Sequence, residues 1–229
     1  GFTHNPPAVS GQQIASIEPA SVIRDLGVMF DSQLTMKAHI SSLTRACFYQ
    51  LRRLRTIRKC VDQPTMEKLI QALIISRLDY CNSVLAGLPA TTIQQLERVQ
   101  NAAARLVHNL RLRDHVTPSL MNLHWLPMRY RISFKIATLM YSVYHRTCPE
   151  YLTELVTLCS VASRRSGRRS ENTLNFCLSR LKTKFGERAF SFAGPQVWNA
   201  LPDSLRREQS LAVFKRNLKT HFFKQAYDL

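Results

Sequence analysis

The chain has 229 residues, 45% of them hydrophobic, so it can fill one large core or two small ones, and global disorder is excluded. Lys and Arg number 32 against 15 Asp and Glu, which gives a formal net charge of +17. A positive field of this size attracts polyanions. Nucleic acid is therefore the first partner that the composition predicts, ahead of an acidic membrane surface or an acidic protein.

The six cysteines are scattered, with no CxxC pair and no histidines at zinc-finger spacing from them. This pattern predicts reduced, mostly buried thiols and neither a disulfide framework nor a zinc site. No apolar run approaches the roughly 20 residues of a membrane span, and the first residues lack the order of a signal peptide. We therefore expect a nuclear or cytoplasmic protein with no membrane partner.

The first 36 residues favour β structure, because prolines and a glycine separate short apolar runs there. Residues 22–30 are the best candidate for a strand. Helical periodicity follows over about residues 35–59, where apolar residues recur at steps of three and four and cations fill much of the remainder. This segment predicts an amphipathic helix with a basic outer face.

Two more helices are predicted next. Residues 65–85 are apolar on nearly every side, as in a central helix. Thr92 caps the following helix, which has one apolar stripe. Arg98 and Arg105, which are seven residues apart, share its other side.

A fourth helix is predicted over about residues 127–146. It begins in a segment where cations alternate with aromatic rings, which is also compatible with a platform for stacking nucleic-acid bases. On a helix, however, most of these rings join an apolar surface, and the cations fall on a narrow strip beside it. We therefore favour a buried helix entry formed by Trp125 and Pro127 over the stacking platform.

The pattern changes after Pro149. A short helix is predicted over residues 151–158, and residues 160–173 are rich in Arg and Ser, as in a linker. Alternating apolar residues at 174–178 predict a short strand. Two short helices broken at Gly194 and Pro195 are expected next, and then a final helix from Ser210, with Leu211, Phe214, Leu218 and Phe222 directed inward.

No grouping of residues predicts catalysis. The carboxylates are isolated, whereas a phosphoryl-transfer site needs several together to hold Mg²⁺. The sequence also has no nucleophile elbow, glycine-rich phosphate loop or HExxH motif. Asp79, beside Arg77, is interpreted as an ion pair or a helix-surface residue, and His124 as a hydrogen-bonding cap and not an acid or base. We therefore predict no catalytic residue, no metal ligand and no cofactor.

A set of sequence blocks resembles a known family. The blocks, in chain order, are "RDLGVMFDSQLTMKAHISSLTRACFYQLRRLRTIRK", "LIISRLDYCNSVLAGLP", "LERVQNAAARLV", "DHVTPSLMNLHWLPMRYRISFKI", "CPEYL", "GERAFSFAGPQVWNALPDSLR" and "FKRNLKTHFF". Together they resemble the C-terminal part of the reverse transcriptase of non-LTR (LINE-type) retrotransposons, in the jockey and chicken-repeat branch. The resemblance covers about residues 20–225.

The resemblance implies a fragment of an RNA-directed DNA polymerase. In that family, aspartates of a palm domain, including a Tyr-x-Asp-Asp motif, bind the metal ions, and an endonuclease domain precedes the polymerase. Neither domain is present in these residues, so the chain is expected not to be an enzyme on its own, and Mg²⁺ is expected only in the missing palm. The implied partners are the upstream reverse-transcriptase and endonuclease domains, the template-primer duplex and the element RNA.

The resemblance also implies an architecture. We expect a mainly α protein: a thumb-like helical bundle with a small N-terminal β element, which resembles the end of the palm, and a basic C-terminal helical lobe. The expected divisions are an N-terminal element, a thumb-like core, a basic linker and a C-terminal lobe, at residues 1–36, 37–158, 159–173 and 174–229.

The cations of three segments are the predicted nucleic-acid contacts, because binding to phosphates needs only positive charges spaced along a face. The first helix supplies Arg45, Arg52, Arg55 and Lys59, which by resemblance would face the template-primer duplex. The zinc knuckle of some relatives is absent, so the C-terminal contacts are expected from Arg164, Arg165, Arg168, Arg169, Lys215, Arg216 and Lys219.

The prediction from sequence is therefore a nucleic-acid-binding C-terminal fragment of a retrotransposon polymerase that lacks both active sites. The alternative is a domesticated or decayed helical protein-interaction domain, in which the helices still pack but the cations no longer meet RNA or DNA. The segment "LNFCLSRLKTKFG" stands where the family pattern has a Pro-Arg element before the "GERAF" block, and this is a departure from that pattern.

Overall fold

The structure is a computed structural model that describes residues 20–159, 174–178, 181 and 183–228. The described chain is mainly α-helical, as predicted, and it has a small two-stranded antiparallel sheet near its N-terminal end. No helix in the described part of the chain is both long and apolar enough to cross a membrane.

The N-terminal element is a hairpin of β1 (Val22–Asp25) and β2 (Val28–Asp31), with Val22 opposite Asp31 and Asp25 opposite Val28. The prediction of one strand over residues 22–30 is wrong, because the chain reverses at Leu26 and Gly27. Both residues have positive φ, 44° and 83°, as a two-residue type I′ turn requires. Leucine seldom adopts this conformation, so the residue types did not indicate a turn here. The Tyr80 hydroxyl holds it by donating to the Leu26 carbonyl at 2.6 Å.

Helix α1 (Lys37–Ile57) continues into a 3₁₀ turn (Arg58–Cys60), which confirms the predicted basic amphipathic helix. Asp31 fixes the approach to it. Its carboxylate accepts hydrogen bonds from the backbone N–H groups of Gln33, Thr35 and Met36. These bonds hold the pKa of Asp31 below its usual value. The hairpin and α1 are thereby joined through one side chain.

The predicted central helix is interrupted. Helix α2 (Gln63–Ile70) passes through a π-helical segment (Gln71–Ile75) into the short α3 (Ser76–Asp79). The chain then leaves the helix at Tyr80 and forms a 3₁₀ turn (Asn82–Leu85). A continuous helix over 65–85 was the wrong prediction, because an apolar run that is buried on several sides does not reveal where the helical register changes.

Helix α4 (Ala90–Val107) begins after Pro89, so the predicted cap at Thr92 is wrong: this threonine lies buried inside the first turn. The short α5 (Thr117–Asn122), for which no prediction was made, leads to α6 (Met128–Tyr144) and α7 (Glu150–Glu154). An isolated bridge then joins Leu158 to Phe176.

The C-terminal helices are α8 (Phe190–Asn199), α9 (Asp203–Arg206) and α10 (Leu211–Tyr227), preceded by a 3₁₀ turn (Gly186–Arg188). The predicted break at Gly194 and Pro195 is wrong, since both lie inside α8. A Cβ at Gly194 would lie 2.6 Å from Met140 Sδ, so glycine is needed for α8 to approach α6. Tertiary packing therefore outweighs the helix-breaking tendency of this pair. Of the four α10 residues predicted to point inward, Leu211 is exposed.

The helices pack in sequence: α1 contacts α4, α4 contacts α6, and α6 contacts both α8 and α10. The core continues into the C-terminal helices through Trp198, which is fully buried. The Trp198 ring stacks on Tyr144 with centroids 5.6 Å apart, and its indole N–H donates to the Leu174 carbonyl at 2.9 Å.

Trp125 is 4% exposed, which confirms the predicted buried entry to α6. The Tyr227 hydroxyl, at the end of α10, donates to the Trp125 carbonyl at 2.6 Å. Burial raises the pKa of Tyr227 to about 12, so this phenol stays protonated and remains a donor at neutral pH. This hydrogen bond therefore joins the C-terminal end of α10 to the loop before α6.

Candidate nucleic-acid interface

A stripe of cations runs along the outer face of α1. Arg45, Arg52 and Arg55 are all exposed, and Lys59 continues the stripe in the 3₁₀ turn. Helical residues seven apart differ by about 20° in direction and residues three apart by about 60°, so the three arginines project to one side. At about 1.5 Å per residue, the stripe from Arg45 to Lys59 is about 21 Å long. We call these four residues the α1 stripe.

The stripe forms because the opposite face of α1 is apolar. Ile40, Cys47, Leu51 and Leu54 are buried against the rest of the bundle. Their spacing of three, four and seven residues leaves the intervening positions to solvent. Phe48 lies within the stripe with 36% of its surface exposed.

Helix α4 adds two cations beside the C-terminal part of the stripe. Arg98 and Arg105 line a groove of about 710 Å³, together with Arg55 and Lys59 of the α1 stripe. Arg58 also lines this groove. No carboxylate lies among the lining residues that the structure describes. The remaining lining residues are apolar or uncharged: Phe48, Asn101, Ala102, Leu106, Asn109, Leu110 and Leu112. We call this cleft the basic groove.

Arg58 has a structural role inside this groove. Its guanidinium donates to the carbonyls of Leu106 and Val107 at 2.9 Å each, and to the Val61 carbonyl at 3.2 Å. It therefore satisfies the last carbonyl groups of α4, which have no partner within the helix. Arg58 fastens the end of α1 to the end of α4 and so fixes the width of the basic groove.

Arg98 and Arg105 were not among the predicted contacts. Their seven-residue spacing placed them on one side of their helix, which was the available signal. The sequence did not indicate that this side faces α1. Arg105 also donates to the Asp114 carbonyl at 3.2 Å, which holds its guanidinium at the end of the groove.

The predicted contacts of the last helix lie elsewhere. Lys215, Arg216 and Lys219 are exposed on α10. Lys219 lines a different cavity, of about 830 Å³, together with Lys68 and Lys135 and with the acidic Glu67 and Asp79. Because α4 and α6 lie between α1 and α10 in the packing order, the structure does not bring the two groups into one groove. Arg164, Arg165, Arg168 and Arg169 lie outside the described residues.

The isolated polar residues have structural partners. Asp79 forms an ion pair with Arg131, at 2.8 Å and 3.0 Å from its two carboxylate oxygens, and not with the neighbouring Arg77. Arg131 Nε also donates to the Leu126 carbonyl at 2.9 Å. His124 is exposed, with its ring 5.7 Å from that of Phe223. Within the described ranges, no group of three or more His, Cys, Asp or Glu side chains could hold a metal ion.

The cysteines differ from the prediction in part. Only Cys47 is buried, whereas Cys60 is exposed and the other four are half-buried, so the prediction that most of these thiols are buried is wrong. Desolvation raises the pKa of Cys47 to about 11, although Arg77 lowers it somewhat. Cys47 therefore packs as a small apolar residue on the buried face of α1.

The family resemblance rests on the sequence blocks alone. No family model, no curated protein and no solved structure matches the chain.

Proposed function

We propose that the chain binds nucleic acid through the basic groove, as the thumb and post-thumb part of a LINE-type reverse transcriptase. The observation that carries this proposal is the groove that Arg55 and Lys59 of the α1 stripe share with Arg98 and Arg105, with no carboxylate among its described lining residues. A cleft lined by cations and by no acids favours a polyanion over a mixed-charge protein surface.

The chemistry of the groove supports recognition of the phosphate backbone and not of base sequence. Guanidinium groups form paired hydrogen bonds with phosphate oxygens. Contacts of this kind position a duplex without reading its bases. The about 21 Å length of the α1 stripe corresponds to roughly six successive phosphates on one strand, each about 3.4 Å further along the duplex axis. A template-primer hybrid, whose sequence changes during synthesis, is a suitable ligand for such a surface.

The polymerase chemistry belongs to an upstream palm in this proposal, which is where Mg²⁺ would bind. The N-terminal hairpin supports a contact with another protein domain. Val22, Ile23 and Leu26 are 38%, 56% and 81% exposed, and Tyr80 beside them is 54% exposed. Strand β1 has one neighbour, β2, in the sheet of the described chain. Exposed apolar side chains on an open strand edge are typical of a surface that a partner covers.

The second candidate function is a helical protein-interaction domain without nucleic-acid binding. The same exposed hairpin favours it, because that patch is apolar and does not suit a phosphate backbone. In either case a nuclear or cytoplasmic location is proposed, where nucleic acid and intracellular partners are both present.

Binding of the purified chain to a fluorescent RNA–DNA hybrid tests the proposal. Fluorescence anisotropy would be measured from about 50 to 200 mM salt, over which a protein with 6–10 phosphate contacts loses about 10³–10⁵ in affinity. Arg55, Lys59, Arg98 and Arg105 line the basic groove, and Arg45 and Arg52 continue the α1 stripe beyond it. Six phosphate contacts predict a log–log salt slope of about −5. Absence of binding at low salt, or a slope near zero, would favour the protein-interaction domain.

A further inference from the structure

Two half-buried cysteines lie on a small antiparallel pairing that joins the segment after α7 to the segment before α8. Leu158 and Phe176 are bridge partners. On either side of them, the Cys159 N–H donates to the Asn175 carbonyl at 2.9 Å, and the Cys177 N–H donates to the Thr157 carbonyl at 2.7 Å. Cys159 and Cys177 each follow a bridge residue by one position. Because side chains alternate along a strand, the two cysteine side chains lie on the same face of the pairing.

The two sulfur atoms are close together. Cys159 Sγ and Cys177 Sγ are 3.0 Å apart. A disulfide bond is about 2.03–2.05 Å long, so the sulfurs need to approach by only about 1 Å. Rotation about a Cα–Cβ bond moves a sulfur atom by a distance of this order.

The strand that carries Cys177 is held in place by α8. The Asn199 side chain accepts from the Phe176 N–H at 2.9 Å and donates to the Phe176 carbonyl at 2.8 Å. The Trp198 indole N–H donates to the Leu174 carbonyl. Because these bonds hold the backbone immediately before Cys177, and the strand pairing holds it beside Cys159, the proximity of the two thiols is built into the fold.

We propose that Cys159 and Cys177 form an intramolecular disulfide when the chain meets a disulfide oxidant such as oxidised glutathione. The thiolate of one cysteine attacks a glutathione sulfur and displaces one glutathione thiolate. The second cysteine then attacks the cysteine sulfur of this mixed disulfide and displaces the other glutathione. The protein loses two protons and two electrons, and the oxidant is reduced to two glutathione thiols.

Proximity, and not unusual acidity, drives this reaction. Burial, and the hydrogen bond with Cys177, raise the pKa of the Cys159 thiol to about 11. Cys159 is therefore a slow nucleophile by itself at neutral pH. Once a mixed disulfide forms at either position, the adjacent thiol displaces glutathione in an intramolecular step, which is strongly favoured over a second encounter with free glutathione.

The crosslink closes a covalent loop that contains residues 160–176. Arg164, Arg165, Arg168 and Arg169 all lie in that loop. A disulfide restricts the ensemble of the chain between its cysteines. Oxidation would therefore link the chain covalently across these four arginines, independently of whether the basic groove binds nucleic acid.

The full chain, incubated with oxidised glutathione, alkylated and digested, tests the proposal by peptide mass mapping. We expect a crosslinked peptide pair containing Cys159 and Cys177, while the exposed Cys60 carries glutathione. The Cys60→Ser variant is the matched control and should keep the crosslink. In Cys159→Ser, Cys177 should carry glutathione instead.

Two results would overturn the proposal: separate glutathione groups on Cys159 and Cys177, or both cysteines recovered alkylated while Cys60 is modified. The map of the unaltered chain decides between these outcomes even if Cys159→Ser does not fold.

Discussion

Replacement of Trp125 by Ala separates a packing role from a binding role in the segment before α6. Trp125 is 4% exposed, so its ring is almost completely removed from water. A buried tryptophan covers about 150–250 Å², which at about 25 cal/mol per Å² corresponds to roughly 4–6 kcal/mol as an upper estimate. Measured large-to-small replacements of this kind cost about 3–5 kcal/mol. We expect Trp125→Ala to lower the free energy of unfolding by that amount.

Urea denaturation followed by far-ultraviolet circular dichroism measures this change. In a chain of this size, it corresponds to a decrease of roughly 6–20 °C in Tm. Affinity for the RNA–DNA hybrid, measured at low temperature where the variant is folded, should be unchanged. His124→Ala is the control, because this neighbouring ring is exposed and its removal should change stability by less than about 1 kcal/mol.

A loss of affinity for the hybrid in Trp125→Ala, at unchanged stability, would refute the packing argument. It would mean that the ring leaves the core to stack on a base.

Two further predictions follow from the contacts around α1. Arg58→Ala removes the donors to the last carbonyls of α4, so the free energy of unfolding should fall by about 1.5–3 kcal/mol. The control, Lys59→Ala, should leave the free energy of unfolding unchanged. Chemical denaturation of both variants measures these changes. His39 is buried, and desolvation lowers its pKa below the usual value, so protonation favours the unfolded chain. The stability it contributes is present above pH about 6.5 and is lost as the pH falls through the lowered value. His39→Gln should flatten this part of the pH profile of urea denaturation; an unchanged slope would contradict the assignment.

The helices could be predicted from sequence where one face is apolar and the other charged. Helix α1 has this pattern, and both its extent and its basic face were predicted. The pattern did not predict the π-helical segment at residues 71–75, where the adjacent residues Ile74 and Ile75 are both fully buried. It also failed at Gly194, where a contact with a helix about fifty residues earlier determines the local structure. In each failure, the deciding interaction is tertiary.

The candidate site was predicted in part for the same reason. Periodicity identifies the cations that share one helix face, so the α1 stripe could be proposed from sequence. The basic groove needs the pairing of α1 with α4, which brings Arg98 and Arg105 into one groove with Arg55 and Lys59. That pairing is fixed by interhelical packing and by the bonds from Arg58, which no local pattern indicates.

Charge reversal of the α1 stripe tests the central claim most directly. The variant combines Arg45→Glu, Arg52→Glu and Arg55→Glu. The control reverses three exposed cations outside the basic groove, in Arg146→Glu, Lys184→Glu and Arg207→Glu, and so has the same net charge. Circular dichroism would establish that both variants are folded.

Hybrid affinity and its salt slope are then measured for both variants. Each phosphate contact accounts for about 0.9 log units per decade of salt, so loss of three contacts lowers affinity about 500-fold at 0.1 M and reduces the slope by about 3. The control should lose less than about tenfold, because salt screens distant charges. Equal losses in the two variants, or none in the α1 variant, would contradict the assignment of nucleic-acid binding to the α1 stripe and the basic groove that it borders.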